Sequence, residues 1–220
     1  MGPADMRLRL GELVLLFAVI PLSLLVLRAS GIRVLPLPML WLACGFCLYL
    51  LWRGRGSLAS SGVRSEVDRP DRQAIVLELV MTVLICVILL LALYPLISTE
   101  PMFRFPRERP LVWVIVLVLY PLLSVVPQGI VFRRWFVARY RSSLGSGWMM
   151  ILVGAVCFGF SHILFGNIVA PLVTFLGGML FMRTFLRSGS GWLADLEHAV
   201  LGNVAFTIGY GQWLYSGSAS

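Results

Sequence analysis

The sequence predicts an all-α polytopic membrane protein in which about seven transmembrane helices surround a polar intramembrane cavity. Of the 220 residues, 59% are hydrophobic and 13% are charged, and the mean hydropathy is +0.91, well above the value of soluble domains. The apolar residues fall into runs long enough to cross a hydrocarbon core of ~30 Å. Polar residues interrupt the later runs, and because such groups are costly at bilayer depth they indicate a functional site. We expect residues 1–220 to form a single membrane domain.

The first half of the chain contains three apolar runs and one polar loop. Residues 13–27 are flanked by arginines and lack a small-residue cleavage site, which predicts a retained anchor helix. The second run covers about residues 37–52. Residues 53–73 are rich in Gly, Ser and Arg and predict a flexible cytoplasmic loop. The third run, at about residues 74–97, contains Glu78.

The second half of the chain contains four apolar runs. The fourth begins near Leu111 and contains Pro121 and Pro127. Because a proline leaves the carbonyl four residues earlier without its helical partner, we expect the end of this run to face protein or a cavity. Residues 130–141 mix aromatic residues with arginines, a pattern typical of interfacial segments. Runs five, six and seven cover residues 148–165, 168–186 and 192–214.

The charge of the chain indicates a membrane partner. All 18 basic residues are arginine, against 10 acidic residues, which gives a net charge of +8. Most of the arginines lie in short loops, where they orient helices and contact anionic headgroups, so we expect membrane lipids as partners and no nucleic acid. Alternating the loops places 13 arginines on one side and five on the other. The positive-inside rule then predicts a cytoplasmic N-terminus and an external C-terminus.

The cysteines lie within apolar runs, at Cys44, Cys47, Cys86 and Cys157. Cys44 and Cys47 have the spacing of half a zinc site, but the sequence near them offers no second pair of ligands to complete a tetrahedral set. The favoured interpretation is that all four are small buried hydrophobic residues.

Three motifs place polar residues in the last four runs. They are Gln128-Gly129-x-x-x-Arg133, then Phe158-x-x-x-His162, and then His198 followed five residues later by Asn203. Both histidines of the chain lie in these motifs. Because each motif interrupts apolar sequence, we expect Gln128, His162 and His198 to line one cavity.

The order of the motifs resembles the signature of the CAAX-protease and bacteriocin-processing intramembrane peptidases, which reads Glu-Glu-x-x-x-Arg, Phe-x-x-x-His and His-x-x-x-Asn. The resemblance covers about residues 111–210. It implies an all-helical membrane peptidase, here of a bacterial inner membrane, that opens to the cytoplasm. Its substrates would be small peptides or membrane-anchored chains, such as lipidated proteins.

The resemblance also implies roles for the matching residues. His162 would activate water, or would bind a divalent metal such as zinc together with His198, although two neutral histidines alone make a poor metal site. His198 and Asn203 would stabilise the oxyanion, and Gln128 would stand at a catalytic position. The substrate-binding positions would be Arg133, the structural arginine of the signature, and Phe158.

Both glutamates of the signature are replaced, by Gln128 and Gly129. A carboxamide is not a base and glycine has no side chain, and loss of a general base typically lowers the rate ~10²–10⁴-fold. Two functions remain open. One is a peptidase with an impaired site, and the other is a catalytically inactive relative that acts as a membrane scaffold and binds peptides or partner proteins. If the chemistry needs a carboxylate here, Gly129→Glu should restore activity.

Other carboxylates could replace the missing pair. Glu78 lies in the third run, Glu197 precedes His198, and Asp195 begins the same helix. The favoured interpretation of Glu78 is snorkelling or pairing with an arginine. Glu197 is ~100° around the helix from His198 and is expected to meet another helix or the interface.

The spacing of Asn203 also departs from the signature. Five residues at ~100° each place Asn203 ~140° around the helix from His198, and Gly202 takes the position on the same face. Either a π-bulge returns Asn203 to the face of His198, or Asn203 faces elsewhere.

Overall fold

A computed structural model describes residues 3–54 and 71–214, and these residues form helices and connecting turns without any strand. The long helices of this part are α1 (Asp5–Ala29), α2 (Pro36–Arg53), α3 (Arg72–Ile97), α4 (Pro110–Leu144), α5 (Trp148–Phe165), α6 (Val169–Ser188) and α7 (Gly191–Ile208). Short helices at Arg104–Glu108 and Gly211–Leu214 precede α4 and follow α7. Most of the predicted loop at 53–73 lies outside the described residues.

The predicted all-α membrane fold is confirmed. Among the described residues, 6 helices, α1 to α6, are long and apolar enough to cross a membrane. Their outward faces carry exposed apolar side chains such as Leu42, Leu96 and Leu111, a surface suited to lipid. Helix α7 differs because it carries Asp195 and His198, which are buried within the bundle. The polar side chains of α7 thus face the other helices, while Trp192 and Leu196 of the same helix are exposed.

Local signals in the sequence begin and end the helices around the site. The side chain of Ser190 caps α7 by accepting a hydrogen bond from the Leu193 amide at 3.3 Å. Gly189 ends α6 with φ at +66°, a conformation that glycine adopts without strain. This tight turn makes α6 and α7 neighbours in space. Asp71 caps α3 in the same way, through the Gln73 amide.

Helix α4 is one element of 35 residues that passes through the whole first motif. It contains two π-helical segments, Pro121–Val125 and Ile130–Trp135. The first begins at a proline, which lacks the amide for a regular α-helical bond. The second contains Arg133 and is largely buried. In the segment 130–141, predicted to be interfacial, most of the aromatic residues and Arg133 are buried against other helices, and its depth in a membrane stays a prediction.

Glycines and aromatic residues set the packing around the site. A Cβ at Gly159 of α5 would lie 2.8 Å from the Pro171 carbonyl oxygen, and one at Gly178 would lie 3.1 Å from Ala155 Cα. Only glycine therefore lets α5 and α6 approach this closely. Phe17 of α1 packs on the Phe132 and Phe136 rings of α4. Phe132 in turn contacts Phe158 of α5, which connects this packing to the site.

The cysteines Cys44, Cys47 and Cys157 are buried, and Cys86 is half-buried. All four are free thiols. Cys44 and Cys47 pack in the main apolar cluster with Phe17, as expected of small hydrophobic residues.

Candidate active site

The two histidines share one aromatic neighbour. The ring of Phe158 on α5 lies 4.8 Å from the His162 ring and 5.6 Å from the His198 ring, in edge contact with both. The His198 ring also stacks on Phe181 of α6, with 4.4 Å between centroids and 19° between planes. Side chains of α5, α6 and α7 therefore converge on a common aromatic cradle, defined by Phe158 and Phe181.

His162 stands where the α-helical part of α5 ends. The helix is regular to Ser161 and continues as a 3₁₀ turn over His162–Phe165. His162 Nδ1 lies 2.7 Å from the carbonyl oxygen of Phe158. Because a carbonyl only accepts, Nδ1 must carry the hydrogen, and in the neutral ring Nε2 then holds a lone pair. His162 thus offers a basic nitrogen at Nε2.

Tyr120 of α4 is a site residue that the motifs did not indicate. Its hydroxyl lies 3.1 Å from His198 Nε2, and His198 Nδ1 is buried without a hydrogen-bond partner among the described residues. A neutral histidine and a tyrosine carry one polar hydrogen each, and their mutual bond uses one of the two. One donor therefore remains, either Tyr120 O–H or His198 Nδ1–H.

Gly202 makes the approach of Tyr120 possible. A Cβ at position 202 would lie 2.5 Å from Tyr120 Cε1 and 2.7 Å from Cζ, closer than real side chains approach. The available signal in the sequence was the glycine one turn after His198, on the same face of α7. Sequence reasoning identified that glycine but not the side chain that packs against it.

Asn203 faces α4 one turn before Tyr120. Its side-chain nitrogen donates to the Leu117 carbonyl oxygen at 3.1 Å, and its side-chain oxygen is buried without a partner in the described part of the chain. Helix α7 is a regular α-helix here, so the second of the two alternatives holds. The amide reaches the α4 backbone instead of the His198 ring. The atom it leaves unpaired is an acceptor, which does not stabilise an oxyanion.

Arg133 of the first motif is held by Asp195. Arg133 donates to Asp195 Oδ1 at 2.7 Å and Arg134 donates to Oδ2 at 2.6 Å. The side chains of Arg133 and Asp195 are 3% and 5% exposed. Both carboxylate oxygens thus pair with guanidinium groups inside the bundle, which compensates the burial of charge.

The Asp195 carboxylate also occupies the space beside Gly129. A Cβ at position 129 would overlap Asp195 Oδ1, and the next nearest atoms are the terminal nitrogens of Arg133 and Arg134, at 2.7 Å and 2.9 Å. Glycine is therefore the one residue type that fits at position 129 while Asp195 keeps this position.

Gln128 stands apart from the histidines in its hydrogen bonding. Its amide nitrogen donates to Ser124 Oγ, one turn earlier on α4, at 2.8 Å. Its amide oxygen is buried and has no partner among the described residues. Gln128 thus presents an acceptor, but no group that takes up a proton.

The family comparison covers this constellation. Residues 110–203, from the start of α4 to Asn203, match the family model described as Type II CAAX prenyl endopeptidase Rce1-like. Over this segment the chain is similar to the CAAX-protease family, which supports the resemblance seen in the motifs. The segment holds all three motifs and the Tyr120 and Asp195 side chains. Comparison with curated proteins and with solved structures finds no match.

The alternative carboxylates differ in their surroundings. Glu78 pairs with Arg183 and Arg187 of α6, and its side chain is 31% exposed, so the arginine-pairing interpretation describes it. Glu197 is buried, bonds to Thr184 on α6 and leaves one oxygen without a partner in the described residues. Neither reaches Gly129. The carboxylate that does so is Asp195.

A metal does not fit the described residues well. A catalytic zinc site of this kind takes three protein ligands. The described part of the chain contains no group of three His, Cys, Asp or Glu side chains able to hold an ion. His162 Nε2 and His198 Nδ1 would supply two nitrogens, and Asp195 is already paired with two arginines. We therefore derive no step through a metal.

Proposed function

We propose that the chain is a membrane peptidase of the CAAX-protease type with an impaired site, and that it hydrolyses peptide bonds near the membrane-anchored end of its substrates. One observation carries the proposal. The His162 ring, whose Nε2 is a basic nitrogen, and the His198 ring both contact the Phe158 ring. The Tyr120–His198 pair keeps one hydrogen-bond donor that their mutual bond does not use. Acyl transfer to water needs both kinds of group.

The proposed chemistry uses these groups in sequence. His162 Nε2 removes a proton from water as the water oxygen attacks the peptide carbonyl carbon. The carbonyl oxygen becomes negative and accepts a hydrogen bond from the remaining donor of the Tyr120–His198 pair. His162 then returns the proton to the leaving amine as the carbon–nitrogen bond breaks. Gln128 accepts a hydrogen bond from the water and orients it.

The impairment follows from the residue at position 128. A glutamate there would accept the proton from water, whereas the Gln128 oxygen can only accept a hydrogen bond. His162 must then act without a carboxylate partner, and we expect a rate ~10²–10⁴-fold below that of a site with a complete base.

A membrane-anchored substrate suits the position of the site. The site residues lie on α4 to α7, which include apolar helices with lipid-suited outer faces. A peptide attached to lipid is held at the depth of these helices, which raises its effective concentration without further contacts. A freely soluble peptide would have to leave water to reach Phe158 and His198.

The second candidate is a non-catalytic scaffold that binds such peptides or a partner protein. It is favoured by Asp195, whose two oxygens are both occupied by arginines. In this arrangement both carboxylate oxygens are already used as hydrogen-bond acceptors. On this alternative the polar interior of α4 and α7 recognises a peptide backbone without cutting it.

A reconstituted assay separates the two candidates. The full chain in lipid vesicles is given a quenched fluorescent peptide with a C-terminal lipid anchor, and the same peptide without the anchor. We expect slow cleavage of the anchored peptide that His162→Ala abolishes. Thr174→Val is the matched control, because its hydroxyl bonds only within α6, and should retain the activity. Binding of the anchored peptide without any product, with a folded protein, would support the scaffold.

We also propose that the protein lies in a bacterial inner membrane with its N-terminus and the 53–73 loop in the cytoplasm. The support is the excess of arginines on that side, 13 against five. A thiol introduced as Ser65→Cys in a variant lacking the native cysteines should resist membrane-impermeant reagents in intact cells. Labelling by the impermeant reagent from outside would show that the loop is external and that the proposed orientation is wrong.

A further inference from the structure

Two positions of the CAAX-protease signature are glycine in this chain, and each glycine faces a polar side chain from another helix. The second glutamate position is Gly129 of α4, which faces Asp195 of α7. The asparagine position is Gly202 of α7, which faces Tyr120 of α4. The two substitutions are reciprocal: each helix lacks one motif side chain, and the facing helix supplies a polar group at that place.

The match at Gly129 is electrostatic as well as steric. A glutamate at position 129 would be one turn before Arg133, the spacing at which a carboxylate and a guanidinium pair on a helix. Arg133 is buried and needs a counter-charge. Asp195 Oδ1 lies where the Cβ at 129 would be and accepts the Arg133 hydrogen bond at 2.7 Å.

The match at Gly202 concerns a hydrogen-bond donor. An asparagine at position 202 would be one turn after His198 on the same face, and its amide would add a donor beside the ring. The Tyr120 hydroxyl lies against Gly202 and is 3.1 Å from His198 Nε2. Asn203 does not take this place, because its amide nitrogen reaches the Leu117 carbonyl oxygen of α4 instead of the His198 ring.

We infer that Asp195 and Tyr120 replace the two missing signature side chains in space, Asp195 as the positioning residue for Arg133 and Tyr120 as the oxyanion donor beside His198. Two side chains of the signature, the second glutamate and the asparagine, are thus replaced by groups from the facing helix. Only the first glutamate, at the position of Gln128, has no replacement. The assignment of Asp195 concerns folding and stands without hydrolysis, whereas the role of Tyr120 in the reaction rests on the proposed function.

The Asp195 assignment is tested by moving the carboxylate back. We compare Asp195→Ala, Gly129→Glu and the double variant by thermal unfolding of the full chain in detergent micelles. Each single change should lower the melting temperature by about 10 °C, because the first leaves a buried arginine unpaired and the second adds a clash and a like charge. The double variant should recover most of that loss. If a single variant does not fold, the yield of folded double variant gives the same comparison.

A matched control decides whether recovery is specific. Glu12→Gln removes the carboxylate that pairs with Arg139, another ion pair of α4. Combined with Gly129→Glu it should show no recovery. A double Asp195→Ala, Gly129→Glu variant that is no more stable than the sum of its single effects would overturn the assignment.

The Tyr120 assignment is tested by the reciprocal change. Gly202→Asn alone should destabilise the fold because it overlaps the Tyr120 ring, and Tyr120→Ala should relieve the overlap. The control is Tyr94→Ala, since Tyr94 packs against Gly209 instead, and it should not rescue Gly202→Asn. Absence of recovery with Tyr120→Ala would overturn the shared-space claim, whether or not the protein is a peptidase.

The donor role has its own readout. Tyr120→Phe keeps the ring against Gly202 but removes the hydroxyl, so kcat for the anchored peptide should fall about 10-fold or more while KM stays within twofold. An unchanged kcat would refute the donor role. If the unmodified chain cleaves nothing, the proposed function fails, and the donor role of Tyr120 fails with it. The two stability comparisons still test whether Asp195 and Tyr120 occupy the space of the missing signature side chains.

Discussion

The guanidinium of Arg133 and the carboxylate of Asp195 are joined by a 2.7 Å hydrogen bond between α4 and α7, with side chains 3% and 5% exposed. Arg133 has its counter-charge in Asp195, and Asp195 is shared with Arg134. We predict that Arg133→Gln lowers the free energy of unfolding by about 3 kcal/mol, since it leaves part of a buried carboxylate unpaired. Thermal and denaturant unfolding in detergent measures this change.

The control for Arg133 is an exposed arginine. Arg104 pairs with Glu100 and Glu108, and the three side chains are about half exposed. Because surface pairs contribute little, Arg104→Gln should leave the unfolding midpoint unchanged. Equal effects of the two substitutions would show that the Arg133–Asp195 pair is not a structural link between the helices.

Gly129→Glu gives a second prediction, and it differs from the one that the sequence suggested. The motif alone indicates that restoring a carboxylate at this position restores activity. The structure fills that space with Asp195, so a glutamate added there meets a carboxylate already bound to Arg133. We therefore expect the single change to reduce folded yield and to give no gain in peptidase rate. Size-exclusion profiles and the vesicle assay measure both quantities.

This difference marks the limit of what the sequence could predict. The fold class followed from hydropathy, and the motifs selected helices α4, α5 and α7, because apolar runs and polar interruptions are properties of single segments. Which side chain fills the space beside a glycine depends on a facing helix. The sequence offers Asp195 as a carboxylate and places Gly202 on the His198 face, but their partners Gly129 and Tyr120 follow only from interhelical packing.

The depth of the histidines shows the same limit. Counting ~1.5 Å per residue from the predicted helix ends places His162 more than two turns deeper than His198, yet both rings contact Phe158. Phe158 lies one turn before His162, and its ring reaches both histidines. A count along each backbone does not include such a bridging side chain or the placement of α5 relative to α7.

Gly191→Ala is a third prediction, for the other arginine on Asp195. A Cβ at position 191 would lie 2.6 Å from Arg134 Nε and Nη2. The added methyl group should displace the Arg134 side chain and weaken its bond to Asp195, at a cost of about 1 kcal/mol. Thermal unfolding measures the loss. Gly45→Ala is the matched control, since nothing lies within 4 Å of its Cβ, and it should be neutral or slightly stabilising.

The last prediction concerns Gln128, the signature position that no relocated side chain replaces. Gln128→Glu changes one atom type and keeps the shape, so the side chain can remain near Ser124, its partner at 2.8 Å. A carboxylate can take a proton from water, which the amide of Gln128 cannot do.

We expect Gln128→Glu to increase cleavage of the lipid-anchored peptide by about 10²-fold, with the gain in kcat rather than KM. The double variant with His162→Ala should lose this gain if the histidine shares the proton transfer. Gln128→Ala should not gain activity, because it removes the acceptor without adding a base. No increase with Gln128→Glu in a folded protein that still binds the anchored peptide would favour the scaffold, because the site would then lack more than its base.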